Sequence, residues 1–265
     1  MIRSVTQEVK GLKEVIIEKL KELEQTENIR ILHAVESGSR AWGFPSPDSD
    51  YDVRFIYVRE PEFYLKLEKT RDVIELPIND MLDMNGWDLN KTLRLLYSSN
   101  PTLFEWMSSP IVYRQTEFID QIRPIIDDYF SCKSGLYHYL HMAGSNYREY
   151  LKGDMVRAKK YFYVLRPILA CKWILHKHSR SPMLFSDLMN EEMEENLKPA
   201  VERLLDIKMN TPEVKEIPRV EEINDYLDRS LEEIKKEIAL LETEHQADWA
   251  PLNDLFIKTV FESRQ

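Results

Sequence analysis

Asp50 and Asp52 stand at i and i+2 at the start of the clearest strand-like run in the chain, Tyr51 to Val58 (YDVRFIYV). Strand side chains alternate between faces, so both carboxylates belong to one face. Two carboxylates so close repel each other unless a cation lies between them. Hard oxygen ligands on a rigid strand suit Mg²⁺, which takes one or two protein carboxylates together with substrate phosphates. Upstream, Gly38-Ser39 follows a short run rich in β-branched residues and precedes a helix-like segment. A strand–Gly-Ser–helix turn presents backbone N–H groups, a small hydroxyl and a helix N-terminus, a combination that favours a phosphate. Taken singly, a Gly-Ser turn is usually just a turn, and Asp48, Asp50 and Asp52 could be a solvated loop exit. The strand, the Gly-Ser turn and the D-x-D in one order at tight spacing favour the metal and phosphate reading. The chain has neither G-x-G-x-x-G nor the P-loop pattern there, so a Rossmann or ATPase reading is unsupported.

These residues need a frame. Residues 4–25 repeat apolar positions at helical spacing (Val5, Val9, Leu12, Val15, Ile16, Leu20, Leu23) and predict a helix. Ile29 to Val35 reads as a strand. Glu36 to Asp50, with Gly38, Gly43, Pro45 and Pro47, holds a turn or a very short helix. Asp72 to Leu76 and Met81 to Trp87 suggest a hairpin around Pro77–Asp80. From Leu89 onward the pattern is helical: 89–98, 101–108, 117–130, 134–151, 154–178, a short turn near 183–189, 191–209 and 219–243. The expected fold class is α+β: a small α/β domain with a mixed sheet over residues 1–113, then an all-helical domain over 114–265.

The 265 residues are 43% hydrophobic and 31% charged, an ordinary globular balance. No apolar run approaches the roughly 18 residues of a membrane span, and the N-terminus lacks the apolar core of a signal peptide. Cys132 and Cys171 give neither a disulfide framework nor a metal knuckle, so a reduced, cytoplasmic setting is expected. The net charge of −10 argues against a uniformly basic nucleic-acid surface. It hides an asymmetry. Ser145 to Arg180 carries nine Lys/Arg against two Asp/Glu, whereas Met189 to Asp248 carries eight against eighteen. A basic segment inside an acidic chain suggests a confined anion site.

Gly38-Ser39, ten residues and then Asp50-Tyr-Asp52-Val53 resembles the signature of DNA polymerase-beta-type nucleotidyltransferases. The longer form, Gly-Ser-Arg-Ala-Trp-Gly with Ser-Asp-Tyr-Asp, most resembles a bacterial and phage branch of predicted nucleotidyltransferases, some associated with RNA-ligase repair systems. The likeness extends to Gly86-Trp-Asp-Leu-Asn-Lys-Thr-Leu, Ser99-Asn-Pro101, Leu103-Phe-Glu-Trp106 and Ser109-Pro-Ile-Val-Tyr113. It continues weakly around Asn146–Tyr150 and Lys159–Tyr163. The resemblance implies transfer of a nucleoside monophosphate from a nucleoside triphosphate to an acceptor hydroxyl, with pyrophosphate released. Gly38 and Ser39 would hold phosphates, and Asp50, Asp52 and a third acid would hold two Mg²⁺, with Mn²⁺ as a substitute. The acceptor is open among an RNA end, a protein side chain and a small molecule. The rival reading is a nucleotide-binding regulator or toxin–antitoxin partner that keeps the fold without turnover.

For the third acid, Leu82-Asp83-Met84 has the apolar–acid–apolar form used there by the superfamily, and Asp83 would also help take the acceptor's proton. Asp88 competes but sits just before a helix, where an N-cap role is expected. Arg40 and Arg54 lie within the motif region; Arg54 shares the strand face of Asp52 and could approach the nucleotide or pair with a carboxylate. In the helical half, Lys159, Tyr163 and Arg166 fall on one helix face at i, i+4 and i+7, with Lys160 beside it. Such a face could clamp a triphosphate and stack a base; the alternative is a surface helix with its aromatics in the core. Trp42 is near enough to the turn to line a base pocket, and otherwise packs. His138, His141, His176 and His178 lack the further ligands of a zinc site.

Overall fold

The computed structural model describes residues 2–77, 81–241 and 247–262. Its helices and strands run in the order α1 (Ile2–Glu27), β1 (Ile29–Glu36), α2 (Gly38–Ala41), β2 (Tyr51–Arg59), α3 (Pro61–Tyr64), β3 (Val73–Glu75), β4 (Leu82–Asp88), α4 (Leu89–Tyr97), α5 (Pro101–Met107) and β5 (Val112–Gln115). There follow α6 (Phe118–Ile122), a 3₁₀ turn (Ile126–Tyr129), α7 (Cys132–Tyr150), β6 (Met155–Arg157), α8 (Ala158–Lys177), α9 (Phe185–Glu192), α10 (Lys198–Asn210), β7 (Glu216–Pro218), α11 (Glu221–Leu240) and α12 (Ala250–Glu262).

The sheet is mixed, with strand order β3-β4-β2-β1-β5; β2 and β4 run parallel and the other neighbours antiparallel. Alternation along β2 gives it two apolar faces. Val53, Phe55 and Tyr57 join Ile16, Leu20 and Leu23 of α1, whose spacing of four and three residues forms one helical stripe. Ile56 and Val58 face the other way, into a core shared with α4, α5, α6 and α12. Toward the start of β2 that second face carries Asp52 and Arg54 instead, beyond the reach of the helices. Gly86 lets β4 approach: it pairs with Phe55, and a Cβ there would lie 2.1 Å from the Phe55 ring. A separate core, built mainly from α7 to α11, surrounds Phe162, Leu165, Ile168 and Leu169 of α8.

Pro167 sits inside α8 and cannot donate to the carbonyl of Tyr163. The Asn146 side-chain amide of α7 supplies that hydrogen bond instead, at 3.2 Å. The two helices that carry the basic segment are thereby locked together beside Tyr163.

Several elements differ from the sequence-based expectation. The helix expected over 117–130 is broken into α6 and the 3₁₀ turn, because Pro124 lacks the N–H needed to continue. The helix expected from residue 154 starts at Ala158, since Met155–Arg157 pairs with Glu216–Pro218 as a two-stranded sheet. The helix expected over 191–209 is divided between α9 and α10, with Pro199 in the first turn of α10. Strand β5 and helix α12 were not expected, and α12 returns from the far end of the chain to pack with α4 and α6. Strands β3 and β4 pair antiparallel as a hairpin would, but residues 78–80 of its turn lie outside the described residues, as do 242–246.

Candidate active site

Strand β1 ends where the Gly-Ser turn begins, and three contacts tie that junction to Asp52. The Glu36 carboxylate accepts the Asp52 backbone N–H at 2.8 Å, and the Ser37 N–H donates to the Asp52 carbonyl at 2.8 Å. Gly38 then turns with φ +59°, a left-handed conformation that glycine adopts without penalty. A Cβ at Gly38 would stand 2.0 Å from Asp52 Oδ2, so the turn and the carboxylate are in direct apposition. Ser39, in the four-residue α2, shares a hydroxyl hydrogen bond of 3.1 Å with Ser49.

Asp83 is the Cα partner of Asp52 across the parallel pair β2–β4. The Arg54 guanidinium bridges them: Nη2 donates to Asp52 Oδ1 at 2.8 Å and to Asp83 Oδ2 at 2.7 Å, and Nη1 to the Asp83 carbonyl at 2.9 Å. Burial raises the Asp52 carboxyl above its usual range; Arg54 opposes this, and the negative charges of Asp50, Asp83 and Glu213 add to it. Asp50 lies just before β2 and is exposed. Arg40 does not face open cleft: its guanidinium donates to the carbonyls of Ser49 and Asp50 and lies 3.7 Å from the Tyr51 ring centroid. It braces the loop that delivers the D-x-D. Asp88, five residues beyond Asp83, caps α4 by accepting the Asn90 N–H at 2.8 Å and binds the Tyr64 hydroxyl at 3.0 Å.

The helical half closes over the same loop. Glu213, between α10 and β7, accepts from the Ser49 hydroxyl at 3.0 Å, pairs with Lys159, and donates its own N–H to the Asp48 carboxylate at 3.0 Å. Lys208 is buried and donates to the Ser46 hydroxyl at 2.8 Å. Lys160 is held between the rings of Tyr150 and Tyr163, 3.6 and 4.7 Å from their centroids. Tyr163 packs edge-on to Trp42. Its phenol is pushed up to about 12 by burial and then by Glu213, Asp52 and Asp50, whose charges it feels across the cleft. Arg166 is not in this group. It is buried, paired with Glu105 at 2.7 Å, and 4.8 Å from the Trp42 ring centroid, so it ties α8 to α5.

Sequence reasoning did not find Glu36, Ser49, Lys208 or Glu213. Glu36 is fully buried, shares a hydrogen bond with the Tyr113 hydroxyl, and has its carboxyl pushed up to about 7, chiefly by burial. An acid closing an apolar strand (Ile29 to Glu36) is a visible signal of such a role. Ser49 is visible as part of Ser-Asp-Tyr-Asp; Lys208 and Glu213 have no local signal, since Ser46 and Ser49, which they hold, lie more than 160 residues away.

A metal can be tested against this donor set. Among the described residues no three acidic, His or Cys side chains are gathered closely enough to enclose an ion. The donors nevertheless have the right chemistry: Asp50, Asp52 and Asp83 offer only oxygen, and their mutual repulsion at Asp52 is what a hard cation relieves. Arg54 supplies positive charge to two of the three.

Residues 12–258 match the family described as RlaP, the RNA repair pathway DNA polymerase beta family. The chain is 47% identical over 253 residues to the uncharacterized protein YcgL of Bacillus subtilis (strain 168), a match covering 95% of this chain and 97% of that protein. It is also similar, at 9% identity and a TM-score of 0.31, to a nucleotidyltransferase-like protein from Exiguobacterium sibiricum 255-15, over 93% of this chain and 80% of that one. With the Gly-Ser turn set against Asp52 and a match running through nearly all of its length, the chain belongs to the RNA repair pathway branch of the polymerase-beta-like nucleotidyltransferase family.

Proposed function

We propose that this protein transfers a nucleoside monophosphate from a nucleoside triphosphate to an acceptor hydroxyl, releasing pyrophosphate, in a Mg²⁺-dependent reaction. The observation that carries the reading is the direct apposition of Gly38 and the Asp52 carboxylate, with Asp83 in register on the next strand. A turn that held a phosphate and a carboxylate that held a cation for it would need to be neighbours, and Gly38 and Asp52 are neighbours. Asp50 and Asp52 would hold Mg²⁺, with Asp83 completing the set; when bound, the metal supplies charge neutralisation to the phosphates and the attacking oxygen.

The chain's own groups divide the remaining work. Gly38 and Ser39 receive the β- and γ-phosphates, and Lys159 and Lys160 supply positive charge from the helical half. Tyr163 and Trp42 offer an aromatic wall for the base. The acceptor oxygen bonds to the α-phosphorus as its bond to the β-phosphate oxygen breaks, and pyrophosphate leaves. The acceptor proton passes to Asp83 at Oδ1, the oxygen that Arg54 does not take. Positioning and charge neutralisation supply most of the acceleration in such reactions.

The family's RNA-repair description makes an RNA 3′ hydroxyl the acceptor to test first. Exposed Arg157, beside half-buried Lys160, fits a nucleic-acid backbone near the cleft. The decisive experiment is incubation with α-labelled nucleoside triphosphates, Mg²⁺ and RNA, protein or small-molecule acceptors. Label should move to the acceptor with one pyrophosphate per transfer, and Asp50→Ala and Asp52→Ala should abolish it. Undiminished transfer in either variant would remove that residue from the metal site. One observation favours the second reading, a nucleotide-binding regulator: Arg54 already neutralises Asp52 and Asp83. Tight nucleotide binding with no label transfer to any acceptor would establish it.

A further inference from the structure

We propose that Ser39, Ser49, Lys159 and Lys208 form a single anion pocket spanning both halves of the molecule, and that the Glu213 carboxylate occupies it until a phosphate group of the incoming polyphosphate displaces it. The proposal rests on the functional reading above for the identity of the natural ligand, and on geometry for the pocket itself.

Glu213 does not belong to any element that needs it. It lies between α10 and β7, flanked by exposed Pro212 and Val214, yet its own side chain is only 20% exposed. One carboxylate oxygen accepts from Ser49, whose hydroxyl is in turn bonded to Ser39 of the Gly-Ser turn. The other oxygen takes Lys159. Buried Lys208, held on Ser46, adds its charge from behind. Burial acts to raise the Glu213 carboxyl, but Lys159, Ser49 and Lys208 outweigh it and leave it below its usual range. The group is an anion in a setting built for anions.

Glu213 sets one negative charge against the two positive charges of Lys159 and Lys208, and a phosphate group would bring more. Among the described residues, only Ser49 and Lys159 contact the carboxylate; Ser39 and Lys208 are bonded instead to the hydroxyls of Ser49 and Ser46, donors left over for the further oxygens of a phosphate. Displacement would release Lys159 to the ligand. It would also free the loop between α10 and β7, whose Glu213 N–H is bonded to the Asp48 carboxylate just before the D-x-D. Polyphosphate binding and movement of the helical half would be one event.

The test uses the full chain and inorganic tripolyphosphate, at low salt without divalent metal. Glu213→Gln keeps the size and the Ser49 hydrogen bond but removes the charge, and should bind tripolyphosphate on the order of tenfold more tightly than the native protein. Lys159→Gln added to that variant should cancel the gain. Glu216→Gln, an exposed charge three residues away, should leave affinity unchanged and so controls for general repulsion. In the native protein, tripolyphosphate should accelerate hydrogen exchange at residues 211–216. Native or weaker affinity in Glu213→Gln, an equal gain in Glu216→Gln, slower exchange at 211–216, or no tripolyphosphate binding by any variant would each overturn the proposal. Should Glu213→Gln gain affinity while no nucleotide is ever transferred, the pocket stands and the transferase reading falls. Should nucleotide be transferred while Glu213→Gln binds like the native protein, the transferase reading stands and the pocket falls.

Discussion

Gly38→Ala should separate the stability of this fold from its chemistry. Two costs follow from the structure. An L-residue at φ +59° loses about 1–2 kcal/mol relative to glycine. The new Cβ would also lie 2.0 Å from Asp52 Oδ2, 1.4 Å inside the 3.4 Å at which ordinary contact begins. Asp52 cannot retreat as a whole, because its N–H is held by Glu36, its carbonyl by Ser37 and its Oδ1 by Arg54. The carboxylate must therefore rotate or the turn must open, and either misplaces a reacting group by about 1 Å, enough to cost roughly 100-fold in rate. The thermal midpoint should fall only a few degrees, at about 2–4 °C per kcal/mol for a chain of this size. Unfolding melts and label-transfer rates measured on the same preparations provide the comparison. Gly11→Ala is the control: Gly11 is helical with open space around it, so Ala there should stabilise by about 0.5–1 kcal/mol and leave the rate alone. A Gly38→Ala protein that transfers nucleotide at the native rate would refute the claim that turn and carboxylate work in contact.

Four further outcomes are expected. Asp83→Asn should nearly abolish transfer while nucleotide binding persists, whereas Asp88→Asn should remain active because Asn also caps helices; the reverse pattern in transfer assays would exchange their roles. His33 is buried and its imidazole is lowered to about 4, so the unfolded chain takes up a proton below 6.5 that the native protein refuses. Native stability should accordingly fall as pH drops below 6.5, by about 2 kcal/mol at pH 5 from this group, and denaturant melts of His33→Gln should lack that component. Asn146→Leu leaves the Tyr163 carbonyl without its donor and should cost about 1–2 kcal/mol in a chemical melt, with weakened nucleotide binding through Tyr163. Gly86→Ala drives a methyl into the Phe55 ring and should destabilise by at least about 1–3 kcal/mol, read from the same melts.

The parts of the fold visible in the sequence are those fixed by local patterning. Val53, Phe55 and Tyr57 alternate with Arg54 and Ile56, and that period of two marks β2 wherever the strand ends up in the sheet. Helices α4, α5, α7, α8 and α11 announce themselves by apolar spacing, and their ends by residues such as Asn100 and Pro101, which cap and start α5. What escaped detection depends on partners distant in sequence. The four residues of β5 form a strand only because β1 offers an edge, and β6 exists only because Glu216–Pro218 arrives some sixty residues later. Helix α12 was hidden for a related reason: its burial is against α4 and α6, not within its own segment.

The site divides along the same line, and the division bears on how the protein works. Gly38, Ser39, Asp50 and Asp52 fall within fifteen residues, and parallel pairing needs only one further strand to add Asp83. A spacing rule suffices for that half, because a turn and two strands fix the positions almost unaided. Arg54 was placed on the correct face by parity, and the structure resolves its alternatives in favour of the carboxylates. The helical half offers no such rule. Helical spacing put Lys159, Tyr163 and Arg166 on one face, but α8 is buried along much of its length, and Arg166 is drawn to Glu105 of α5 instead of the cleft. Spacing identifies a face without saying what that face meets. What Lys159 meets here is Glu213, which, with Lys208 of α10, holds the loop from Ser46 to Ser49 that leads into the D-x-D. The basic segment of an acidic chain is thus joined to the loop before the D-x-D by one carboxylate, Glu213, whose charge is the same as that of the polyphosphate proposed to bind there.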